Sequence, residues 1–520
     1  MPWYRRPLAL WLGILLCLSA GCSKPDASSS LPPASQAVLQ PASSQPVEQN
    51  ADKEWFRSFL TGEYRQQSSD TTDDAPSQSQ ENGISSQSQP SSSQPQSSSQ
   101  VISSSQSQSS SQSQSQSAPL PEDTLDAGET MEQPEPPVEQ QPESSEENEI
   151  SVVFDDELRG IWISYLDFEG LLKNKSASAF RANIQNAFEN VADLGLNTVF
   201  VQVRPYGDAL YPSEIFPWSH TITGTEGKDP GYDPLEIMVE TAHNLGLRIE
   251  AWVNPYRIRN ANTKAALSND NPASIYISQG SDAVIQYGSL ISYNPASAEA
   301  RQLIVDGVTE IVKNYDVDGI HFDDYFYPTT DAAFDQQSFA EYQQDGGTLS
   351  LAGWRRENVN LLIKACYKAI KSVNASVSFG VSPQGNNENN LNHQYVDVSS
   401  WLSGSGYVDY ICPQIYFGFE NSSSPYAQTV QKWNNMIQSS SVKLYIGLAA
   451  YKLGSEDTWA GEGKTEWIGT EDILSRMVST GREASKYGGF ILFRYDSVFP
   501  TGATAQRQEE LEHLKELLTE

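Results

Sequence analysis

Residues 317–328 read VDGIHFDDYFYP. The branched and aromatic residues at its start predict a short buried strand, which ends in two adjacent carboxylates among aromatic rings. Alternate side chains of a strand face opposite ways, so His321 and Asp323 share one face and the apolar residues share the other. If the apolar face packs on helices, Asp323 points to the centre of the sheet and Asp324 begins the following loop.

From Glu157 onwards, strand-like and helix-like segments alternate to the end of the chain. Strands are predicted at 158–164, 197–205, 247–255, 317–325, 377–383, 408–416, 443–450 and 488–495. Helices are predicted at 182–194, 234–245, 298–315, 354–373, 428–439, 470–487 and 507–518, several of them beginning at Asp-Pro or Ser/Thr and ending at Gly. Eight strand–helix units predict an α/β protein with one (β/α)8 TIM barrel. The alternative is an open doubly wound sheet, against which the lack of a glycine-rich phosphate loop after the first strand weighs.

The segment before the barrel has two parts. Residues 1–22 combine Arg5-Arg6, a short apolar run and small residues before Cys22, which is the pattern of an export signal. The end of this segment resembles the lipobox of bacterial lipoproteins, with Cys22 as the lipidated residue; cleavage and release is the alternative. Residues 23–150 are rich in Ser, Gln, Pro and Glu and predict a disordered tether, so the folded domain is expected at 151–520. We therefore expect an extracytoplasmic protein anchored to the bacterial cell membrane.

Composition limits the possible partners. The 520 residues carry a formal net charge of −33, which argues against nucleic acid and gives no attraction to an anionic membrane surface. Only Cys366 and Cys412 lie in the folded part, so a disulfide scaffold is not expected. We expect a monomer without a cofactor.

In a barrel, the C-terminal ends of the strands meet at one mouth, where such enzymes keep their chemistry. The predicted strand ends carry polar and aromatic residues that suit a hydroxyl-rich ligand, because sugars stack on rings and bond to amides, arginines and carboxylates. The candidate binding residues are Arg204, Tyr206, Trp252, Asn254, Arg257, His321, Tyr325, Gln414 and Tyr416.

Glycoside cleavage needs one carboxyl group to protonate the leaving oxygen and a second group to attack or to activate water. Asp323 is the first candidate, as nucleophile or base, with Asp324 or Asp208 as the acid. Glu250 and Asp496 are further candidate acids. The alternative for Asp324, Asp208 and Glu250 is a buried ion pair with a nearby arginine. Asp323, Asp324 and His321 could also bind a cation, but no second histidine lies at ligand spacing, so no metal is expected.

Six blocks of the sequence resemble signature segments of the glycosyl-hydrolase-like family ten. They are LRGIWIS (158–164), QVRPYGDALYP (202–212), AWVNPYR (251–257), DGIHFDDY (318–325), VDYICPQIY (408–416) and YIGLAAY (445–451). The resemblance implies a barrel enzyme of the bacterial envelope that hydrolyses cell-wall glycan, with peptidoglycan strands lacking stem peptides as substrate. The fourth strand also resembles that of chitinases, but Tyr325 stands where those enzymes have their catalytic Glu.

Two alternatives of other classes stay open. A glycan-binding protein could keep the barrel and its aromatic rings while holding its carboxylates in ion pairs. A scaffold could recruit other wall proteins through the long Ser/Gln tether.

Overall fold

The computed structural model describes residues 157–519. The predicted signal peptide with Cys22 and the predicted tether at 23–150 lie outside the described residues. The strands are β1 Leu158–Ile163, β2 Thr198–Arg204, β3 Arg248–Val253, β4 Arg257–Arg259, β5 Val284–Tyr287, β6 Leu290–Tyr293, β7 Gly319–Phe322, β8 Ser378–Val381, β9 Tyr410–Ile411, β10 Lys443–Leu448 and β11 Tyr487–Leu492.

Eight of these strands close into a parallel barrel in the order β1-β11-β10-β9-β8-β7-β3-β2. Each corresponds to one strand predicted from the sequence, so the predicted TIM barrel is confirmed. The prediction held because long apolar runs at strand spacing can be buried on both faces only by such a covered parallel sheet.

Helices cover the outside of the barrel. They are α1 Tyr165–Leu171, α2 Ala177–Asp193, α3 His220–Thr223, α4 Pro234–Asn244, α5 Pro272–Gln279, α6 Ala298–Asn314, α7 Gln336–Gln344, α8 Leu351–Val373, α9 Asn387–Asn389, α10 Val398–Ser403, α11 Tyr426–Met436, α12 Glu466–Gly469, α13 Ile473–Arg482, α14 Tyr495–Val498 and α15 Ala505–Thr519. Asp233 caps α4 as the Asp-Pro signal predicts, because its carboxylate accepts from the backbone N–H groups of Leu235 and Glu236. Between residues 157 and 519, no helix is both long and apolar enough to cross a bilayer.

A small antiparallel sheet of β4, β6 and β5 follows β3, and the sequence analysis did not predict it. Its strands have only three or four residues, which is too short for a clear alternation of apolar and polar side chains. The insertion matters for the site because β4 carries Arg257 and Arg259.

Inward-facing glycines make room for large side chains inside the barrel. A Cβ atom on Gly319 would lie 2.4 Å from Cδ of Glu250, and one on Gly380 would lie 2.1 Å from the ring of Tyr410. The interior is therefore filled by side chains of the neighbouring strands and has no space for a methyl group at these two positions.

We expect the substitution Gly380→Ala to lower the free energy of unfolding by about 2–3 kcal/mol, because the Tyr410 ring must move within a packed interior. Urea denaturation measures the change. Gly404→Ala is the matched control, since Gly404 has an extended backbone with φ −138° and no heavy atom within 4 Å of the added Cβ. Equal unfolding midpoints for the two variants would contradict the packing described here.

Candidate active site

Asp323 lies directly after β7 and points into the barrel mouth. Its Oδ2 accepts a hydrogen bond from Nε1 of Trp252 at 3.0 Å and from Nδ2 of Asn254 at 2.7 Å. The backbone N–H of Tyr325 donates to Oδ1 at 3.3 Å. Both Trp252 and Asn254 come from the end of β3, the barrel neighbour of β7, so Asp323 leans towards β3.

The side chain of Asp324 lies on the other side of β7, towards the segment that follows β9. Nε2 of Gln414, which follows β9, donates to its Oδ1 at 3.0 Å. Its second oxygen, Oδ2, is buried and has no hydrogen-bond partner among the described residues. Because β7 ends at Phe322, strand alternation no longer fixes the direction of Asp324. The two carboxylates therefore lie side by side on one wall of the mouth.

Both carboxyl groups have raised pKa values. Burial, with a further contribution from the charge of Asp324, raises the pKa of Asp323 to about 7. Burial raises the pKa of Asp324 to about 6, against the opposing effects of Gln414 and Gln384. Two neighbouring carboxyl groups titrate as a pair, so the values of about 6 and about 7 belong to the pair rather than to either residue, and the pair holds one proton between them.

Asn254 connects Asp323 to Arg257, whose guanidinium lies between aromatic rings. Its amide nitrogen donates to Asp323, while its amide oxygen accepts from Nε2 of Gln202 at 2.6 Å and from Nη2 of Arg257 at 3.3 Å. The guanidinium carbon of Arg257 lies 4.8 Å from the ring centroid of Tyr206 and 4.6 Å from that of Tyr325. Such cation–π contacts hold the guanidinium in place between the rings, where its charge lowers the pKa of Asp323 against the effect of burial.

A hydrogen-bonded chain lies beneath Asp323 inside the barrel. Nε1 of Trp162 donates to Nε2 of His321 at 3.1 Å, Nδ1 of His321 lies 2.8 Å from Oη of Tyr410, and that hydroxyl donates to Glu250 at 2.6 Å. An indole N–H can only donate, so the proton of the neutral imidazole is on Nδ1. Burial lowers the pKa of His321 to about 3, which suits a neutral, orienting side chain.

Glu250 is therefore not at the mouth, and this corrects the sequence analysis. It lies two residues before Trp252 on β3, one layer deeper in the barrel, and pairs with the first residue of β7. Ser378 and Tyr410 donate to its two oxygens, and burial raises its pKa to about 7.

Arg204 does not line the site either. Its guanidinium lies 3.7 Å from the ring centroid of Phe216, and Nη1 lies beside Gly307 of α6. The register of β2 against β3 shifts between Gln202 and Arg204, so two residues of β2 oppose one residue of β3. Such a bulge reverses the alternation and turns Arg204 towards the outer helices.

Asp208 is held in a buried cluster behind Tyr206. Its Oδ2 lies 2.6 Å from Nδ1 of His220 and 3.7 Å from Nη1 of Arg259, and Arg259 also forms an ion pair with Glu226. Burial opposes the ionised form of Asp208, yet His220 and Arg259 hold its pKa below the ordinary value. We therefore do not retain Asp208 as the acid, and the ion-pair alternative describes it.

The same cluster is the group of described side chains that could hold a metal ion, because ligand atoms of Asp208, His220 and Glu226 lie within 4.8 Å of one another. The guanidinium of Arg259 contacts both carboxylates and supplies the positive charge that a metal ion would bring. We assign no metal to it.

The opposite wall of the mouth contains an acid that the sequence analysis missed. Asp167 accepts from the backbone N–H of Ser164 at 2.7 Å and from Arg494 at 2.5 Å, so it caps α1 and forms a buried ion pair. Asp496, one of the predicted acids, pairs with Arg494 at 2.8 Å and has 49% of its side chain exposed. A capping-box pattern from Ser164 to Asp167 was visible in the sequence, and it indicates a structural role.

Aromatic rings complete the mouth. Tyr416 packs against Tyr451 and Phe493, with ring centroids 5.8 and 5.7 Å apart. Trp459, in the loop after β10, is 56% exposed, whereas Trp467 is fully buried. The site thus combines a pair of carboxyl groups that share a proton, an arginine between aromatic rings, amide groups and further rings, which is a set that can bind a sugar and transfer a proton to it.

The chain is similar to a family of glycosyl hydrolase-like proteins. The family model of glycosyl hydrolase-like 10 matches residues 157–461. The chain is 39% identical to glycosyl hydrolase YngK of Bacillus subtilis (strain 168) over 321 residues, which cover 58% of this chain and 62% of YngK. It is 35% identical to glycosyl hydrolase DigH of Escherichia coli (strain K12) over 373 residues, which cover 65% of this chain and 83% of DigH.

Among solved structures, the glycoside hydrolase domain of PgaB (BpsB) from Bordetella bronchiseptica aligns with a TM-score of 0.47 and 14% identity, over 70% of this chain and 99% of that domain. The match to YngK leaves more than a third of that protein's length uncovered. The family match spans more than half of this chain and includes β1 to β10 with both aspartates. The chain therefore belongs to the glycosyl hydrolase-like 10 family.

Proposed function

We propose that the protein is a glycoside hydrolase of the bacterial envelope that cleaves peptidoglycan glycan strands lacking stem peptides. The observation that carries the proposal is the pair Asp323 and Asp324, two buried carboxyl groups with raised pKa values at the barrel mouth, framed by Trp252 and Arg257. A buried pair that retains one proton near neutral pH provides both an acid and an anion, as glycoside cleavage requires.

The structure supports separate roles for the two aspartates. Three N–H donors contact Asp323, and hydrogen bonds to a carboxylate favour its ionised form. Gln414 donates to Oδ1 of Asp324 at 3.0 Å, and Gln384 also favours its ionised form, but the buried Oδ2 has no hydrogen-bond partner among the described residues. The two pKa values belong to the coupled pair, so the hydrogen-bond donors decide the assignment. We assign the shared proton to Asp324, which has the less complete set of donors and acts as the acid, while Asp323 supplies negative charge.

Release of reducing ends from purified glycan strands tests the proposal. We expect product from strands stripped of stem peptides by an amidase, and less product from intact peptidoglycan. The Asp323→Asn variant is the negative control on the same strands. Binding of the strands by the wild-type protein without any product would favour the glycan-binding alternative.

The pH dependence follows from the pair. Activity requires one protonated and one ionised carboxyl group, so kcat/KM should have its maximum between about pH 6 and pH 7. Two pH units outside this range, the fraction of enzyme in the active form should be roughly 100-fold lower, because each pH unit changes that fraction about tenfold. A profile that stays flat from pH 4 to pH 9 on stripped strands would contradict the assignment of the pair.

We also propose that lipidation at Cys22 anchors the protein to the outer face of the cell membrane, since Cys22 follows an export signal with a lipobox-like end. Cys22→Ala should move the protein from the membrane fraction to the soluble fraction and abolish labelling with a fatty-acid probe. Cys17→Ala, a change of the same kind five residues earlier, should leave both unchanged. Equal membrane association of the two variants would contradict the anchor.

A further inference from the structure

The two aspartates stand on the same wall of the barrel, and this restricts the mechanism. They are consecutive residues, and their partners lie on either side of β7, at β3 and beyond β9. Hydrolysis by two enzyme carboxyl groups needs them on opposite faces of the sugar, about 5–5.5 Å or 6.5–9.5 Å apart. Neighbouring side chains that lean apart along one rim do not enclose a sugar ring in this way.

The first acids after four strands on the far side of the barrel from β7 are already paired. In the described chain, the first acids after β1, β2, β10 and β11 are Asp167, Asp208, Glu456 and Asp496. Each pairs with a cationic or imidazole side chain, at 2.5 Å from Arg494, 2.6 Å from His220, 2.8 Å from Lys464 and 2.8 Å from Arg494 respectively. Glu250 lies one layer below the mouth with both oxygens bonded. None of these five acids is placed as a nucleophile opposite Asp324.

We propose that the nucleophile comes from the substrate, so that the enzyme is specific for glycans with a 2-acetamido group on the sugar whose bond is cut. This inference rests on the proposed function and names its substrate class. The carbonyl oxygen of the acetamido group attacks the anomeric carbon from one face, while Asp324 donates its proton to the leaving glycosidic oxygen on the other. The anomeric C–O bond breaks, and an oxazolinium ion forms on the sugar.

Asp323 has the geometry to stabilise that ion. A carboxylate has about four lone-pair sites, and the N–H groups of Trp252, Asn254 and Tyr325 direct its oxygens. A remaining site accepts the acetamido N–H, so negative charge lies beside the nitrogen that becomes positive. Water then attacks the anomeric carbon and returns a proton to Asp324. The oxazolinium C–O bond breaks, and the acetamide reforms with overall retention of configuration.

The first test compares glycan strands with the same strands after chemical removal of the N-acetyl groups. We expect hydrolysis of the deacetylated strands to be slower by roughly 10³-fold or more, because an intramolecular nucleophile of high effective molarity has been removed. Equal rates on both, or a covalent glycosyl ester on an enzyme carboxylate trapped with a 2-fluoro sugar, would overturn this inference and leave the proposed function standing. Hydrolysis of neither glycan would instead overturn the proposed function, and this inference with it.

The second test separates the two aspartates. A thiazoline analogue of N-acetylglucosamine, which mimics the oxazolinium ion, should inhibit the wild-type enzyme competitively, and Asp323→Asn should bind it at least about tenfold more weakly, as expected for a lost charge-assisted hydrogen bond. Asp324→Asn should keep its thiazoline affinity. It should also retain much more activity on an aryl N-acetylglucosaminide, whose leaving group needs no proton, than on glycan. No inhibition of the wild-type enzyme, or equal losses of affinity in both variants, would overturn the assignment.

Discussion

Asp323→Asn should lower kcat on glycan strands by about 10³-fold or more while the protein stays folded, because the carboxylate that holds negative charge at the mouth becomes a neutral amide. The side chain keeps its size, so Trp252 and Asn254 still surround it. Reducing-end release measures the loss, and circular dichroism with urea denaturation reports the fold.

Asp323→Asn should also change how the free energy of unfolding depends on pH. The pKa values of the Asp323–Asp324 pair are raised in the folded state from 3.8 to about 6 and about 7, mainly by burial. The stabilisation from the protonated forms is therefore fully present below about pH 3.8 and lost as the pH rises through about 7. Asp323→Asn carries no such charge, so it should be at least as stable as the wild type above pH 7 and should lose less stability between pH 4 and pH 8.

Asp316→Asn is the matched control for both measurements. It makes the same change just before β7, at the other end of the strand, where 91% of the Asp316 side chain is exposed. Its activity and unfolding midpoint should equal those of the wild type. Full glycan activity in Asp323→Asn would refute the assignment of Asp323.

Arg355→Met should lower the free energy of unfolding by about 3–5 kcal/mol, because it leaves the buried carboxylate of Asp335 without its cation. Arg355 has no exposed side-chain surface and holds Asp335 at 2.5 and 2.9 Å. It also donates to the carbonyl oxygens of Thr330 and Asp331. These contacts anchor the loop that begins at Asp323, so we expect kcat to fall as well.

Arg181→Met is the control for this prediction. Arg181 pairs with Glu240 at 2.9 Å, but both side chains are about half exposed. Solvent screens such a pair, and its loss should change the free energy of unfolding by less than about 1 kcal/mol. Urea denaturation measures the loss of unfolding free energy in both variants. Similar losses would contradict the prediction that burial of the ion pair makes its disruption more destabilising. A double variant that also replaces Asp335 by Leu should recover part of the stability lost in Arg355→Met.

The strands of the barrel could be predicted from the sequence, and the strands of the small antiparallel sheet could not. All eight barrel strands came from apolar runs flanked by cap and turn residues, since burial on both faces leaves a continuous hydrophobic signal. The sheet of β4 to β6 was missed because its strands have only three or four residues and share no common pattern of burial. Local pattern gives no register for such short pieces.

The site was predictable where alternation continued to the strand end. Trp252, Asn254 and His321 follow the inward positions of β3 and β7, and the structure brings them to Asp323 or directly beneath it. Arg204 does not line the site because a bulge in β2 turns its side chain to the other face of the strand. Asp208 is not available because its carboxylate pairs with His220 and Arg259. His220 lies twelve residues further along the chain, and Arg259 lies on β4, which was not predicted.

The barrel, the expected export signal and the position of two aspartates at the end of one strand could be predicted without coordinates, because they depend on periodicity and on neighbours along the chain. Which of the acids are available for chemistry depends instead on contacts between distant segments. Pairing partners such as Arg494 for Asp167, or Gln414 for Asp324, are distant by 90 residues or more. A buried carboxylate is ionised, paired or protonated according to the groups packed around it, and that packing is set by the closed barrel rather than by any local segment.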